Sequence, residues 1–429
     1  MGAYGGHLAV TVRARHQRRH DRWYRAGMNA TAGSHLLDEA RAMHDRVVAD
    51  RRAIHRHPEI AFQEHRTATL VASRLNDLGI DVRIGVGGTG VVGTLRGARP
   101  GRTVLLRADM DALPMPEAAM PLNDGFRSEV DGAMHACGHD AHVAILLGAA
   151  EVLAARRADL TGTVRFMFQP AEEIVQGAPA MMADGLLDPL PDGAFALHVA
   201  HNLPTGSLFS TPGPSAAASD RFEITLTGRG VHAAWPHLGI DPVVAGAHLT
   251  TALHSLVSRE VGPGDPAVIT VGSLVAGTVG NVIPDTATLL GTVRTFRPAT
   301  RDHLERRVAE MAHGVASTFR CTADVAYARG TPPVINDAGA VDLARLAVTK
   351  VAGASAWASP ANDGPTMGAE DWAFILERVP GCMFVLGVRD PAWEAPRPIH
   401  SPRFALDENA LPYGVAAMAG VALEFLSQT

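Results

Sequence analysis

Cysteine is scarce in this chain: Cys137, Cys321 and Cys382 are the three thiols among 429 residues. Three thiols cannot build a disulfide framework, and their spacing matches no four-cysteine zinc site. A reducing cytoplasm is therefore the simplest setting. Aromatic residues are also few, at 5%. Neither sign of charge dominates: a formal charge of -6 and a pI near 6.4 give no general attraction to nucleic acid or anionic lipid. No run of membrane-spanning length is free of charge, and internal repeats and low-complexity tracts are lacking. What is present is 47% hydrophobic and 19% charged residue, with 43 glycines and 28 prolines, the make-up of a globular chain with many tight turns. Its length exceeds what one hydrophobic core usually supports and predicts two domains.

The first 34 residues read differently from the rest. Arg13, Arg15, Arg18, Arg19, Arg22 and Arg25 alternate with histidines and lack an apolar run, so no secretory signal is formed. The segment reads as a disordered leader, or as an over-extended start upstream of Met28, because it has little to bury.

From Leu36 to Ile54 the apolar residues Leu37, Ala40, Met43, Val47 and Val48 follow helical spacing, and Pro58 discourages continuation. A helix over Thr67 to Leu78, stopped by Gly79, precedes short strands at Asp81 to Val86 and Gly90 to Leu95. The apolar runs Thr103 to Arg107 and Val164 to Phe168 flank a helix over Ala141 to Ala155, a strand, crossover helix and strand that predict neighbours in a buried sheet. Ligands gather beyond the carboxyl ends of such strands. Asp109 and Asp111 follow one apolar run, Glu172 and Glu173 the next, and His198 follows Ala194 to Leu197. Between Asp220 and Gly330 the order is β-α-β-β-α-β, a small α+β domain inserted into the larger one. The expected division is 35–219 with 331–429, interrupted by 220–330. A helix near Asp337 to Val351, a strand over Met383 to Val388 and a last helix over Tyr413 to Phe425 complete the chain.

The stretch from Gly132 to His142 holds His135, Cys137, His139, Asp140 and His142. If it is extended, side chains two apart share a face, which points His135, Cys137 and His139 one way. Cys137 and His139 offer a soft sulfur and an imidazole to a borderline divalent ion, and Glu173, His198 and His400 can complete a mixed shell. The plain alternative is a buried thiol beside a hydrogen-bonded core histidine. Asp109 and Asp111 can bind metal or orient an imidazole. Adjacent acids usually mark solvent, but Glu172 and Glu173 follow an apolar strand, so one can enter a metal shell while its neighbour holds a proton; Glu172 is read as general base and Glu173 as ligand. Cys137 as a nucleophile is the weaker reading, since a metal would draw on its sulfur electrons and water is the better attacking group. His232, in a Gly- and Pro-punctuated turn of the inserted domain, and Asn281 are candidate donors to an oxyanion. The glycines between Gly85 and Gly90 lack the ending of a P-loop and read as an ordinary turn.

Taken together, His55-Arg-His-Pro-Glu59, Leu106 to Pro114, Met134-His-Ala-Cys-Gly-His-Asp140, Phe168-Gln-Pro-Ala-Glu-Glu173, Val231 to His237, Asn281 to Asp285, Gly291 to Phe296, Met367 to Asp371 and the region of His400 resemble the M20 family of metal-dependent peptidases and amidohydrolases. The likeness runs from about residue 35 to the end and is to the subgroup of hippurate hydrolases and auxin-conjugate (IAA-amino acid) hydrolases. It implies an α/β zinc-peptidase-like catalytic domain with a mixed sheet, carrying an inserted ferredoxin-like α+β satellite that dimerises. It implies two divalent ions, manganese or zinc favoured and nickel or cobalt allowed, on Cys137, His139, Glu173, His198 and His400. Glu172 is then general base, Asp111 steadies the site, His232 serves the transition state, and Asn281 is its polar neighbour in substrate binding. The family's usual metal-binding histidine is here Asp109, a departure that goes with the cysteine-containing subgroup.

The activity expected is hydrolysis of the amide of an N-acyl amino acid by a metal-activated water, in the cytoplasm, with no nucleic-acid or membrane partner. A dipeptidase or aminoacylase shares the machinery. A noncatalytic metal-dependent binding or scaffold protein is the reading from another class, and an intact Glu172 argues against it.

Overall fold

A computed structural model describes residues 34–358 and 365–428; the expectation for the leader therefore lies outside the described residues, apart from Ser34, which opens the first helix. The chain forms two compact units: one from residues up to Gly213 with Ile335–Asn362 and Phe374–Thr429, the other from Pro214–Val334 with Asp363–Ala373. The fold is mixed α/β, with a sheet-rich unit that carries the candidate site and an inserted α+β unit.

The first unit is built on a seven-stranded sheet in the order Asp81–Val86, Gly90–Arg96, Thr161–Gln169, Arg99–Asp109, Gly193–Pro204, Gly381–Arg389, Leu208–Phe209. Its four central strands run parallel, and the outer pairings are antiparallel. Strands buried on both faces need continuous apolar runs. Val104, Leu105, Leu106, Val164, Phe166, Phe168, Ala194, Phe195 and Phe384 supply them, and all are inaccessible to solvent. Burying each such Leu or Phe contributes about 1.5–3 kcal/mol.

The helix His139–Ala154 crosses between two of those parallel strands and is buried on nearly every side, which is why its sequence shows no polar stripe. The opening helix expected as one piece is two, Ser34–Ala42 and His44–Arg56, separated at Met43. The closing segment Glu408–Ser427 is, among the described residues, the one helix long and apolar enough to cross a membrane by length and composition, although its most apolar stretch is 78% buried inside the fold. The charge it carries near its end, Glu424, is held by Lys350 at 2.7 Å. The strand bearing His198 does not stop at Leu197 but continues to Pro204, because His198 keeps its place in the parallel ladder opposite Val385.

The second unit is a four-stranded antiparallel sheet in the order Ala267–Ala276, Thr286–Thr295, Ala218–Thr227, Thr322–Arg329, with helices Pro242–Glu260 and Pro298–Thr318 packed on it. In Ala218–Thr227 alternate residues are buried, so Phe222, Ile224 and Leu226 meet Leu249, Leu253, Leu304 and Val308 from the helices. Asp220 falls in the same buried row. It is compensated there by Arg301 at 2.6 Å, the Tyr327 hydroxyl at 2.9 Å and the Gly330 N–H at 3.1 Å. Asp241 caps the first of these helices by accepting from the N–H of Val243, and Pro242 occupies its first turn.

Candidate metal centre

The segment before His139 is not extended. Gly138 turns the chain at φ 90°, and a Cβ there would come within 2.5 Å of Val199, so only glycine allows a helix to begin at His139. His135 is in none of the converging donor groups among the described residues: it is buried, its ring 6.3 Å from that of His55.

The donors that do converge come from separate elements. Cys137, His139 and His198 form one group, and Cys137, Glu173 and His400 another, with donor atoms in each group within 4.8 Å of one another. Cys137 Sγ lies 3.5 Å from His198 Nε2, and Glu173 Oε1 lies 3.4 Å from His400 Nε2 and 3.9 Å from His139 Nε2. Ligands on one ion at bond lengths of roughly 2.0–2.3 Å in tetrahedral array are separated by similar distances. His139 Nε2 and Glu173 Oε1 are buried and make no hydrogen bond among the described residues, a cost the fold bears only where something else satisfies them. These residues therefore fit divalent ions, and Cys137 is common to both groups.

The imidazoles are held in the tautomer such ions require. His139 donates from Nδ1 to the Asp111 carbonyl at 2.9 Å, and His198 from Nδ1 to the Val199 carbonyl at 2.8 Å, which leaves each Nε2 as a ligand atom. His142 lies as close to Asp109 and His139, but both its nitrogens are engaged: Nδ1 donates to Asp109 at 2.5 Å and Nε2 accepts the Val199 N–H at 2.9 Å. It acts as a strut. Asp109, paired with Arg107 at 2.7 Å, fixes His142, while Asp111 accepts the Glu173 N–H at 2.9 Å, so the two aspartates are divided between His142 and the Glu173 loop. Glu172 is buried, and its carboxylate shares a group with His139 and Glu173.

Burial alone would push the Cys137 thiol up, but His139 and His198 outweigh it and bring it down to about 6. In turn, burial would lower His198, and the Cys137 thiolate raises it to about 9. The nearby Cys137 thiolate and Glu173 carboxylate raise His400 to about 10. Glu173 is lowered against burial by His400 and His139. The anionic donors attract positive charge into the site, as protons on imidazole or as metal cations in their place.

Three further residues carry no role in the sequence reading. Arg51 and His55 meet Asp140 at 2.9 and 2.8 Å beneath the first turn of the helix that begins at His139. The Asp140 carboxyl is held far below its ordinary 3.8 by Arg51 and His55, despite burial that would raise it. A depressed folded-state pKa means that the unfolded chain binds more protons below about pH 4. The stability that the Asp140 carboxylate supplies is thus complete above that pH and is lost as pH falls. Thermal melting should accordingly drop more steeply below pH 4 in wild type than in Asp140→Asn; parallel curves would refute the assignment. The signal in sequence was the position of Asp140 just before a helix, where an acid is ordinarily read as a dipole partner.

His232 and Asn281 belong to the second unit, where a short ladder pairs His232 with Val282, and the Ala233 N–H reaches the Asn281 carbonyl at 3.0 Å. His232 is exposed and accepts the Ala234 N–H at Nδ1, so its neutral ring has Nε2 as donor.

A mixed α/β sheet whose strand ends and loops bring Cys, His and Glu donors around a buried carboxylate defines a metal-dependent hydrolase or peptidase. Residues 105–424 match the model of peptidase family M20/M25/M40, and the chain belongs to that family. It is 36% identical to thermostable carboxypeptidase 2 of Saccharolobus solfataricus over 91% of this chain and 98% of that one. It is 38% identical to IAA-amino acid hydrolase ILR1-like 2 of Arabidopsis thaliana, over 92% and 88%. A crystal structure of a dinuclear metal-binding M20 peptidase from Bacillus subtilis superposes with a TM-score of 0.79 at 35% identity, covering 91% of this chain and 99% of that one.

Proposed function

We propose that this protein hydrolyses the amide of N-acyl amino acids, releasing a carboxylic acid and a free amino acid. The observation that carries the reading is the placement of the Glu172 carboxylate in one group with His139 and Glu173, beside two donor groups that share Cys137. Cys137, His139, Glu173, His198 and His400 would hold two ions, which when bound supply a Lewis acid for the carbonyl and lower the pKa of a water. Zinc suits the sulfur and imidazole donors and manganese the carboxylate, with nickel or cobalt as substitutes. Glu172 takes a proton from the attacking water on a carboxylate oxygen and returns it to the amide nitrogen as the amine departs. Asp111 holds Glu173 and His139 in register through its carboxylate and its carbonyl. His232, of this chain or of a partner subunit, would donate from Nε2 to the developing oxyanion, with Asn281 as its polar neighbour.

The names of the relatives divide between a carboxypeptidase and an IAA-amino acid hydrolase, both consistent with a substrate that ends in an amino acid. The hippurate and IAA-conjugate hydrolase subgroup is favoured by Cys137 standing among the donors. A panel of N-acetyl, N-benzoyl and indoleacetyl amino acids with dipeptides alongside tests the proposal. Turnover of acyl amino acids above dipeptides is expected; no hydrolysis with saturating manganese, zinc, cobalt or nickel would sink it, and dipeptides cleaved faster would assign a dipeptidase.

The strand order of the inserted unit supports a ferredoxin-like satellite. Leu274, Val275, Val279, Val282 and Leu290 are exposed on it and support a homodimer through this unit, which a monomeric mass in light scattering would refute. Three free thiols support a reducing cytoplasm.

A further inference from the structure

The loop that carries Glu172 and Glu173 is bent by Ala171 at φ 52° and Val175 at φ 53°, neither of them glycine. A residue with a Cβ keeps that conformation only when its surroundings hold it there. Within the loop, the Val175 N–H reaches the Glu172 carbonyl at 2.7 Å, and the N–H groups of Gln176 and Gly177 reach the Ala171 carbonyl at 3.2 Å. Gly177 has no room for a Cβ, which would lie 1.6 Å from the Pro170 oxygen. The loop is closed on itself; what anchors it on the Ala171 side is a different residue.

That residue is Glu64, which is fully buried. Its Oε1 accepts the Ala171 N–H at 2.9 Å and the N–H of Phe62, itself at φ 61°, at 3.0 Å. Its Oε2 accepts the hydroxyl of Thr89, in the glycine-rich turn that the sequence offered no function. One carboxylate thus joins three segments, and one of them is the residue immediately before Glu172. On the other side of Glu172, the Glu173 N–H is held by Asp111. Glu172 is flanked by two tethers, each a buried carboxylate accepting a backbone N–H.

We infer that Glu64 is a positioning residue: it fixes the backbone of Ala171 and so aims the Glu172 carboxylate at the donor groups. The inference rests on the proton-transfer role proposed for Glu172. What the tether needs is acceptor geometry rather than charge, since glutamine can offer its carbonyl to the two N–H groups and its NH2 to the Thr89 oxygen. Burial already pushes the Glu64 carboxyl above its ordinary range.

Glu64→Ala, Glu64→Gln and Thr89→Val are to be compared with wild type in two measurements. In the metal-loaded enzyme Glu64→Ala is expected to lose kcat by roughly 10²-fold, the scale of a misplaced group, with KM little changed, and Glu64→Gln to recover most of that loss. In the metal-free protein, amide hydrogen exchange across residues 169–177 is expected to quicken in Glu64→Ala and to stay near wild type in Glu64→Gln, while exchange in the central strands is unchanged. Wild-type kcat and exchange in Glu64→Ala, or a glutamine variant as impaired as alanine in both readouts, overturns the inference. Should Glu64→Ala fail to fold, Thr89→Val decides: faster exchange confined to the same loop supports the tether, and wild-type exchange there removes it. A wild-type enzyme inactive on every amide defeats the proposed function, and the metal-free exchange result still judges whether Glu64 holds the loop.

Discussion

Glu172→Gln should lower kcat by about 10²–10⁴-fold, the usual contribution of a positioned general base, while two ions remain bound. The amide matches the carboxylate in size but cannot accept the proton that the attacking water must lose. The comparison is needed because Glu172 shares a donor group with His139 and Glu173, so distance alone leaves it eligible as a ligand. Metal content separates the two roles. If Glu172 moves protons, the variant keeps its ions by elemental analysis and loses turnover; if it is a ligand, turnover and an ion are lost together. Glu173→Gln is the control. Its Oε1 is buried, makes no hydrogen bond among the described residues and lies near both His139 and His400, so that variant should lose metal. Wild-type turnover in Glu172→Gln would rule out the assigned base.

How far this site was legible in sequence depended on whether a residue acts through its own type or through a fold-dependent contact. Cys137, His139 and Glu173 announce themselves, because a thiol, an imidazole and a carboxylate after apolar strands have few structural uses in that order. The crossover unit was readable for the same reason: the apolar runs ending at Arg107 and Phe168 have strand length and flank a helical one, and they pair in parallel with Asp109 opposite Gln169.

Residues that act by holding others were not readable. Glu64 resembles any acid at a helix start, and its value lies in a bond to Ala171, 107 positions away. His142 was read as part of a ligand-rich segment, and only the two bonds that occupy its nitrogens show it to be a strut. Glu59, in a segment that carried the family resemblance, turns out to cap the helix His65–Asp77 through the N–H groups of Arg66 and Thr67 and to accept the Ala112 N–H on its carbonyl. Its place in the pattern reflects the route of the chain toward Asp111. The misjudged extension of residues 135–139 has a similar origin: period-two spacing is a strand signal only if no residue turns the backbone, and Gly138 does so at φ 90°.

Cys137→Ala should be the most damaging single change at the centre. The other donors belong to one group or the other, His198 to the first and His400 to the second, whereas Cys137 belongs to both. His198→Ala and His400→Ala are therefore each expected to weaken one ion, and Cys137→Ala to weaken both. A Lewis acid supplies several kcal/mol of transition-state stabilisation, so its loss corresponds to roughly a 10³-fold or greater fall in kcat/KM. Removing the thiol also removes the anion that raises His198 to about 9 and contributes to raising His400 to about 10, leaving a site with less negative charge to hold any cation. Titration of manganese or zinc into the metal-free variants, followed by calorimetry, reads the stoichiometry directly: two ions in wild type, one tight ion in each histidine variant, and none in Cys137→Ala. Two ions bound at wild-type affinity without the thiol would show that the groups are bridged by another donor, with Asp109, 3.5 Å from His139 Nε2, as the next residue in reach.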